Sequence, residues 1–287
     1  MFGNPLILPE SGGWVLRRSI HGTAFSDAMG CYPLFCCHDW RKIENDLIQL
    51  AEQGELISVV LVTDPFCTLT PDQMAQVFTG ACYPFKAHHI IDLSVNPDVY
   101  VDMHHRRNAR WSGRHVHVER VENPLKVLEE WISLYDMLIA RHCIRGIACF
   151  SRESFTRQFQ IPGLVVFRAV VGNETVGMAM FYIHGNTGFY HLGAYSSDGY
   201  RFKASFALFW EAIARFRQEG MDFLDLGGGA GAFSDGCDGL NRFKRGWATG
   251  TRPAYLCGRV LNGRIYARLS EGRFTAYFPA YRQGEFT

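Results

Sequence analysis

An aspartate near the end of an apolar run, one residue before a row of glycines, can hold a ligand against bare backbone. Residues 223–236, FLDLGGGAGAFSDG, contain that pairing. Gly227, Gly228, Gly229 and Gly231 allow a sharp turn and a close approach to a bound molecule. A dinucleotide or S-adenosylmethionine site needs more: a helix opening on the last glycine, and an acidic residue about 20 positions on for the ribose hydroxyls. No Asp or Glu stands between Gly239 and Ser270, and Gly236, Gly239 and Gly246 interrupt a helix starting at Gly231. About 60 residues remain after the glycines, too few for the rest of an alternating strand-and-helix sheet. The stretch therefore reads as a loop that meets substrate through its backbone, with no nucleotide cofactor expected.

A second chemistry-bearing stretch is HHRRNARW, which sets Arg106, Arg107 and Arg110 beside Trp111. Guanidinium groups with an aromatic ring can meet phosphate and stack a base or sugar, and a solvated helix is the plain alternative. The histidines at 88–89, 104–105, 115 and 117 lack an H-E-x-x-H pattern or cysteine partners, so no metal is expected. The nine cysteines are scattered without a C-x-x-C pair, which reads as reduced thiols. A net charge of +1 conceals polarity: residues 241–287 hold nine Lys or Arg against two Glu. A basic end points to an anionic partner or to a solvated tail.

At 287 residues, 47% hydrophobic and 20% charged, the chain is an ordinary globular protein of two domains or one large one. It has no apolar run of about 18 residues and no charged leader before an apolar stretch, so neither a membrane span nor a signal peptide is expected and the cytoplasm is the expected compartment.

The elements that must position these residues follow from pattern. WVLRRSI, ELISVVLVT and KAHHIIDLS read as strands, HDWRKIENDLIQLAEQG as an amphipathic helix closed by Gly54, and TPDQMAQVFTG as a helix capped by Thr70. After the NPD breaker comes a short basic helix and a strand, placing a domain boundary near Val95, with domains 1–95 and 96–287. NPLKVLEEWISLYDMLIARH makes a helix with Leu128, Trp131, Ile132 and Tyr135 on one stripe. LVVFRAVV, TVGMAMFYI and FYHLGAYS, joined by Gly/Asn turns, predict an antiparallel meander, followed by the buried helix KASFALFWEAIARFRQEG and the strand MDFLDL.

Three antiparallel strands, a buried helix and a further strand is the core order of the GNAT acyltransferase fold. HHRRNAR, the meander ending in FYHLGA, the helix closing in EG, FLDLGGG and then GLNRFKRGW together resemble the Fem-type aminoacyltransferases, a two-domain branch of that superfamily. The resemblance covers residues 98–250 well and the first domain in outline. It implies an α/β (α+β) mixed sheet with an antiparallel meander, in tandem GNAT-like domains of which the N-terminal one is reduced. It also implies transfer of an amino acid from aminoacyl-tRNA to an amine of a small-molecule or peptide acceptor, without a bound cofactor. The chain is short for a cell-wall member and lacks a coiled-coil insertion. The coenzyme A pyrophosphate loop of the wider superfamily is also missing, SSDGYRFKAS standing in its place. The rival readings are an N-acyltransferase using acyl-CoA or acyl carrier protein, and a non-catalytic GNAT-like protein that binds RNA or a metabolite.

The resemblance places the pair Phe243 and Lys244 at the reacting ester. Amine attack on an ester builds an oxyanion, which a cation at that point stabilises. Lys244, read here on a short glycine-bounded turn, suits that role or is simply solvated. Phe243 packs on substrate or in the core, and Arg245 pairs with phosphate or carboxylate or serves the surface. Asp225 at the strand end is the first candidate to orient the incoming ammonium or take its proton, the alternative being a turn-capping Asp. His191 in the meander is the second base candidate or a core histidine. Tyr190, Gly227 and Gly228 are expected to line the substrate, and Arg106, Arg107 and Trp111 to meet the tRNA.

Overall fold

Apolar residues at a spacing of two dictate most strands of this chain, and two glycine turns with positive φ, Gly172 (61°) and Gly185 (55°), fold three of them into a meander. The computed structural model describes residues 3–229, 239–273 and 275–285. The chain divides into two units, residues 1–87 with 252–287, and residues 88–251.

In the first unit, β1 (Asn4–Leu8), β2 (Gly13–Ser19) and β3 (Ser26–Gly30) are antiparallel neighbours, and β3 lies parallel to β4 (Leu56–Val62). Helix α1 (Ile43–Gln53) stops at Gly54, whose φ of 69° lets the chain reverse. Helix α2 (Pro71–Val77) starts from the Thr70 cap, closed reciprocally by Gln73. Val15, Phe35, Trp40, Ile43, Leu47, Val59 and Leu61 form the core of this unit. Strand β5 (Ala81–Asp92) begins here and runs on into the second unit.

The second unit continues with α3 (Pro97–Tyr100), α4 (Met103–Ser112), β6 (His117–Arg120), α5 (Leu128–His142) and α6 (Arg152–Gln158). The meander β7 (Leu164–Val171), β8 (Glu174–His184) and β9 (Thr187–Tyr195) follows, then α7 (Ser197–Arg201), α8 (Ala204–Gln218), β10 (Phe223–Asp225) and α9 (Gly239–Arg245). The strand order is β5-β10-β9-β8-β7-β6. Alternation divides the two faces. Val165, Phe167, Ala169, Ala179 and Phe181 pack with Leu208, Phe209 and Phe216 of α8, while Val166, Met178 and Met180 pack with Trp131 and Tyr135 of α5 and Phe155 of α6. Fully burying side chains of this size stabilises by about 1.5–3 kcal/mol each, which holds the sheet rigid between two helical layers.

The last strand, β11 (Gly250–Val260), and α10 (Gly263–Leu269) return the chain to the first unit. The expected division at Val95 thus falls at Ala87, and residues 252–287 leave the domain to which the sequence reading assigned them. The reason is β4: LISVVLV is apolar on both faces and needs a hydrogen-bonded neighbour along both edges. β3 supplies one, and β11, antiparallel from Leu256 to Val260, the other. All eight described cysteines are free, and Cys237 lies outside the described residues. No described helix is long and apolar enough to cross a membrane.

Candidate functional site

The three residues of β10 are held on both sides, antiparallel to Ile90–Asp92 of β5 and parallel to Thr187–Phe189 of β9. Pairing with β9 ends at Asp225 and Phe189, although β9 runs on to Tyr195 against β8. The chain beyond Asp225 stays with β5 instead: Leu226 N donates to His89 O at 2.9 Å and His89 N to Gly227 O at 3.2 Å. Two parallel strands therefore part at the carboxyl end of β10, the kind of opening in which α/β sheets bind ligands.

The glycine turn sits at this opening and is tied from two directions. Asp225, 2% exposed, accepts from Gly227 N at 2.7 Å. Lys244, 7% exposed, donates from Nζ to Gly228 O at 2.6 Å. Gly227 has φ of 76°, and a Cβ there would stand 3.2 Å from Nζ, so the site requires glycine twice over. Lys244 Nζ is also 5.8 Å from the centre of the Tyr190 ring, within reach of the ring's negative face. Tyr190 and Tyr195 are hydrogen bonded to each other, and burial pushes both phenols well above their ordinary pKa, so each keeps its proton. Gly231 lies outside the described residues.

Lys244 is carried by helix α9, not by the glycine-bounded turn expected from sequence. Phe243 anchors this helix among Phe206, Phe209 and Trp247, with centroids at 5.2, 5.0 and 6.1 Å. The adjacent residue of α9 is thereby fixed facing the turn. Asn241, one turn earlier, accepts from Nε2 of His89, and Arg245 is exposed.

Helix α4 is joined to α9 by His105, whose ring packs over Gly246 and whose Nε2 donates to Phe243 O at 2.9 Å. Burial holds the pKa of His105 below the ordinary value, keeping it neutral. On the opposite side of α4, Arg107 is exposed and Trp111 is 38% exposed, with Lys203 Nζ 5.3 Å above the indole. Arg106 is half-buried and donates to Asp98 O at 2.8 Å.

His191 stands apart from these residues. It is the extra residue of a bulge, skipped where Met180 faces Leu192 and Phe181 faces Tyr190. Its Nε2 is 3.0 Å from Gln158 Oε1 of α6, and its ring lies 5.3 Å from Tyr182, so it points to the α5–α6 face while Tyr190 packs against the α8 core. Burial lowers its pKa to about 4. The second base candidate thus lies on the face of the strand opposite Tyr190. The residue that does meet Asp225 is His88, with Nδ1 at 2.8 and 3.1 Å from the two carboxylate oxygens and 6% exposure. Sequence reasoning weighed His88 only as a metal ligand. A polar side chain interrupting the apolar run HHIIDL was the signal available. No group of three His, Cys, Asp or Glu suited to a metal occurs among the described residues.

Residues 103–245, which carry the basic helix, the meander, the parting strands and Lys244, match the family model described as an acetyltransferase (GNAT) domain. This stretch is a GNAT acyltransferase domain. No curated protein matches the sequence significantly. Among solved structures, the GNAT protein is similar to FemX, at 12% identity and a TM-score of 0.69 over 90% of this chain and 87% of that one. It is similar also to the C-terminal domain of a putative lysylphosphatidylglycerol synthetase from Agrobacterium fabrum, at 16% identity and a TM-score of 0.66 over 92% and 85%. L-PGS from Bacillus licheniformis gives 15% and 0.62 over 92% and 86%. At these identities the likeness is one of fold, and the fold is of the Fem type.

Proposed function

We propose that this acyltransferase forms an amide bond by moving an amino acid from aminoacyl-tRNA to an amine of a small-molecule or peptide acceptor. The observation that carries the reading is the buried ammonium of Lys244, fixed at the glycine turn where β9 and β10 part. An amine that attacks the aminoacyl ester makes a tetrahedral oxyanion, and a cation pre-set in a water-poor site stabilises it without reorganisation. An ammonium carries three donors. One holds the turn through Gly228.

Two features favour an aminoacyl-tRNA donor over acyl-CoA. A pyrophosphate cradle needs a fan of available backbone N–H groups between the third meander strand and the next helix. In this chain four of the N–H groups there are engaged internally: Gly199 to Ser196 Oγ, Tyr200 to Ser196 O, Phe202 to Asp198 O and Lys203 to Tyr200 O. Gly199 packs so closely on the Val176 carbonyl that a side chain would not fit, which seats α7 against β8. The other feature is the outward side of α4, where Arg107, Arg110 and Trp111 are exposed on a helix joined through His105 to the helix that bears Lys244. That combination suits the phosphates and bases of an RNA acceptor stem.

The test is a screen of radiolabelled aminoacyl-tRNAs for deacylation that depends on added amines. One or a few amino acids should be released as amides, and ribonuclease should abolish the reaction. Turnover with acyl-CoA alone, indifferent to ribonuclease, would overturn the reading.

A further inference from the structure

We propose that His88, held by Asp225, is the base that takes the proton from the attacking amine. The inference rests on the acyl-transfer reading above and adds a residue to it. Asp225 accepts from His88 Nδ1, so the proton of the neutral imidazole is on Nδ1 and the lone pair is on Nε2. No described residue bonds Nε2. The carboxylate is itself fixed, because Oδ1 also accepts from Gly227 N. The ring therefore has one orientation and one tautomer, set by a group that is 2% exposed.

Position carries the argument further. Asp225 is paired with Ile90 in the antiparallel ladder, and two more residues along that register put His88 level with Gly227. Leu224 and Leu226 pack into the α8 core, so Asp225, between them, projects from the other face of β10. His88, two residues from Ile90, shares that face. Lys244 reaches the same turn from the α8 face, where Tyr190 lies. An acyl carbonyl seated where β9 and β10 part would have a cation on one face of the sheet and a base on the other.

The step balances without a further reagent. Nε2 of His88 takes the proton of the incoming ammonium and releases it to solvent, and the freed nitrogen bonds the carbonyl carbon. The tetrahedral intermediate then expels the ribose oxygen, which takes a proton from the attacking nitrogen as it leaves, giving an amide and a free hydroxyl. Asp225 is the positioning residue, because it touches His88 and not the reacting atoms.

The experiment compares two nucleophiles with a mixture of radiolabelled aminoacyl-tRNAs as donor. Ethanolamine is protonated at neutral pH and must lose that proton to attack, whereas hydroxylamine is already neutral. His88→Gln should lower amide formation with ethanolamine by about 10² to 10³, the usual scale of general-base catalysis. With hydroxylamine, after subtracting the uncatalysed rate, it should stay within a few-fold of wild type. Asp225→Asn should show the same contrast in weaker form, and supplies the test if His88→Gln does not fold. Equal losses with both nucleophiles, or no loss with ethanolamine, would overturn the base. A wild-type protein that makes no amide from any of these donors would overturn the aminoacyl-tRNA reading, and this inference with it.

Discussion

Gly227 bears both demands of the site, a positive φ and a close neighbour in Lys244 Nζ. Gly227→Ala would force a side chain into a left-handed backbone and push at the ammonium. A stability loss of about 1–3 kcal/mol is expected in urea unfolding, together with a drop in turnover larger than any drop in donor affinity. Asp225 drew notice in the sequence because an aspartate just before glycines at the end of an apolar strand has few structural uses, and Lys244 through the resemblance of its Phe-Lys pair; the structure brings both to one turn. His88 did not, because its partner lies 137 positions away. His191 is the reverse case. Its place in the meander was legible, but a one-residue bulge decides which face it takes, and no local pattern announces a bulge. Burial holds its folded pKa at about 4 against an ordinary 6.5. The unfolded chain therefore binds the proton more readily. His191 contributes stability that is complete above pH 6.5 and is lost as the pH falls towards 4. Acid unfolding curves of His191→Phe should be flatter across that window than those of the wild type.

Helix α9 is short, and its place depends on α4. A methyl group on Gly246 would run into the His105 ring, which already donates to Phe243 O. Gly246→Ala should therefore cost about 1–3 kcal/mol and reduce activity with no catalytic group removed. Recovery of activity in the double variant Gly246→Ala, His105→Ala would identify the clash as the cause. Three glycines argued in the sequence against a helix starting at Gly231, yet the seven residues Gly239–Arg245 form one, and the packing of Phe243 and Trp247 supplies what propensity withholds. The meander and α8 were legible because each repeats its period for eight residues or more. Strand β11, with Pro253 and an irregular burial pattern, takes its form from the edge of β4.

At the scale of the molecule, the basic excess of the last 47 residues is divided between the two units. Arg282 pairs with buried Asp27 at 2.7 Å in the first unit, and Arg259 donates to Val77 O at 3.1 Å, whereas Arg242 and Arg245 are exposed in the second unit. Part of the C-terminal basic charge is thus tied down within the first unit, and under the proposed function the contact with RNA is expected at the basic helix α4. Arg107→Ala should weaken tRNA binding at all amino acids alike and reduce the slope of log affinity against log salt by about one. An unchanged slope would remove α4 from the interface. The account turns on Lys244, whose ammonium lies at the parting strands, where the proposed mechanism puts the oxyanion. Lys244→Met keeps the length of the side chain but leaves Gly228 O without its charged donor, a loss of about 1.5–3 kcal/mol that need not unfold the protein. The most direct measurement is single-turnover amide formation by this variant at saturating aminoacyl-tRNA, beside its affinity for the same tRNA. A fall of about 10² to 10³ in rate with affinity within a few-fold of wild type is predicted; a normal rate at saturation would contradict the account.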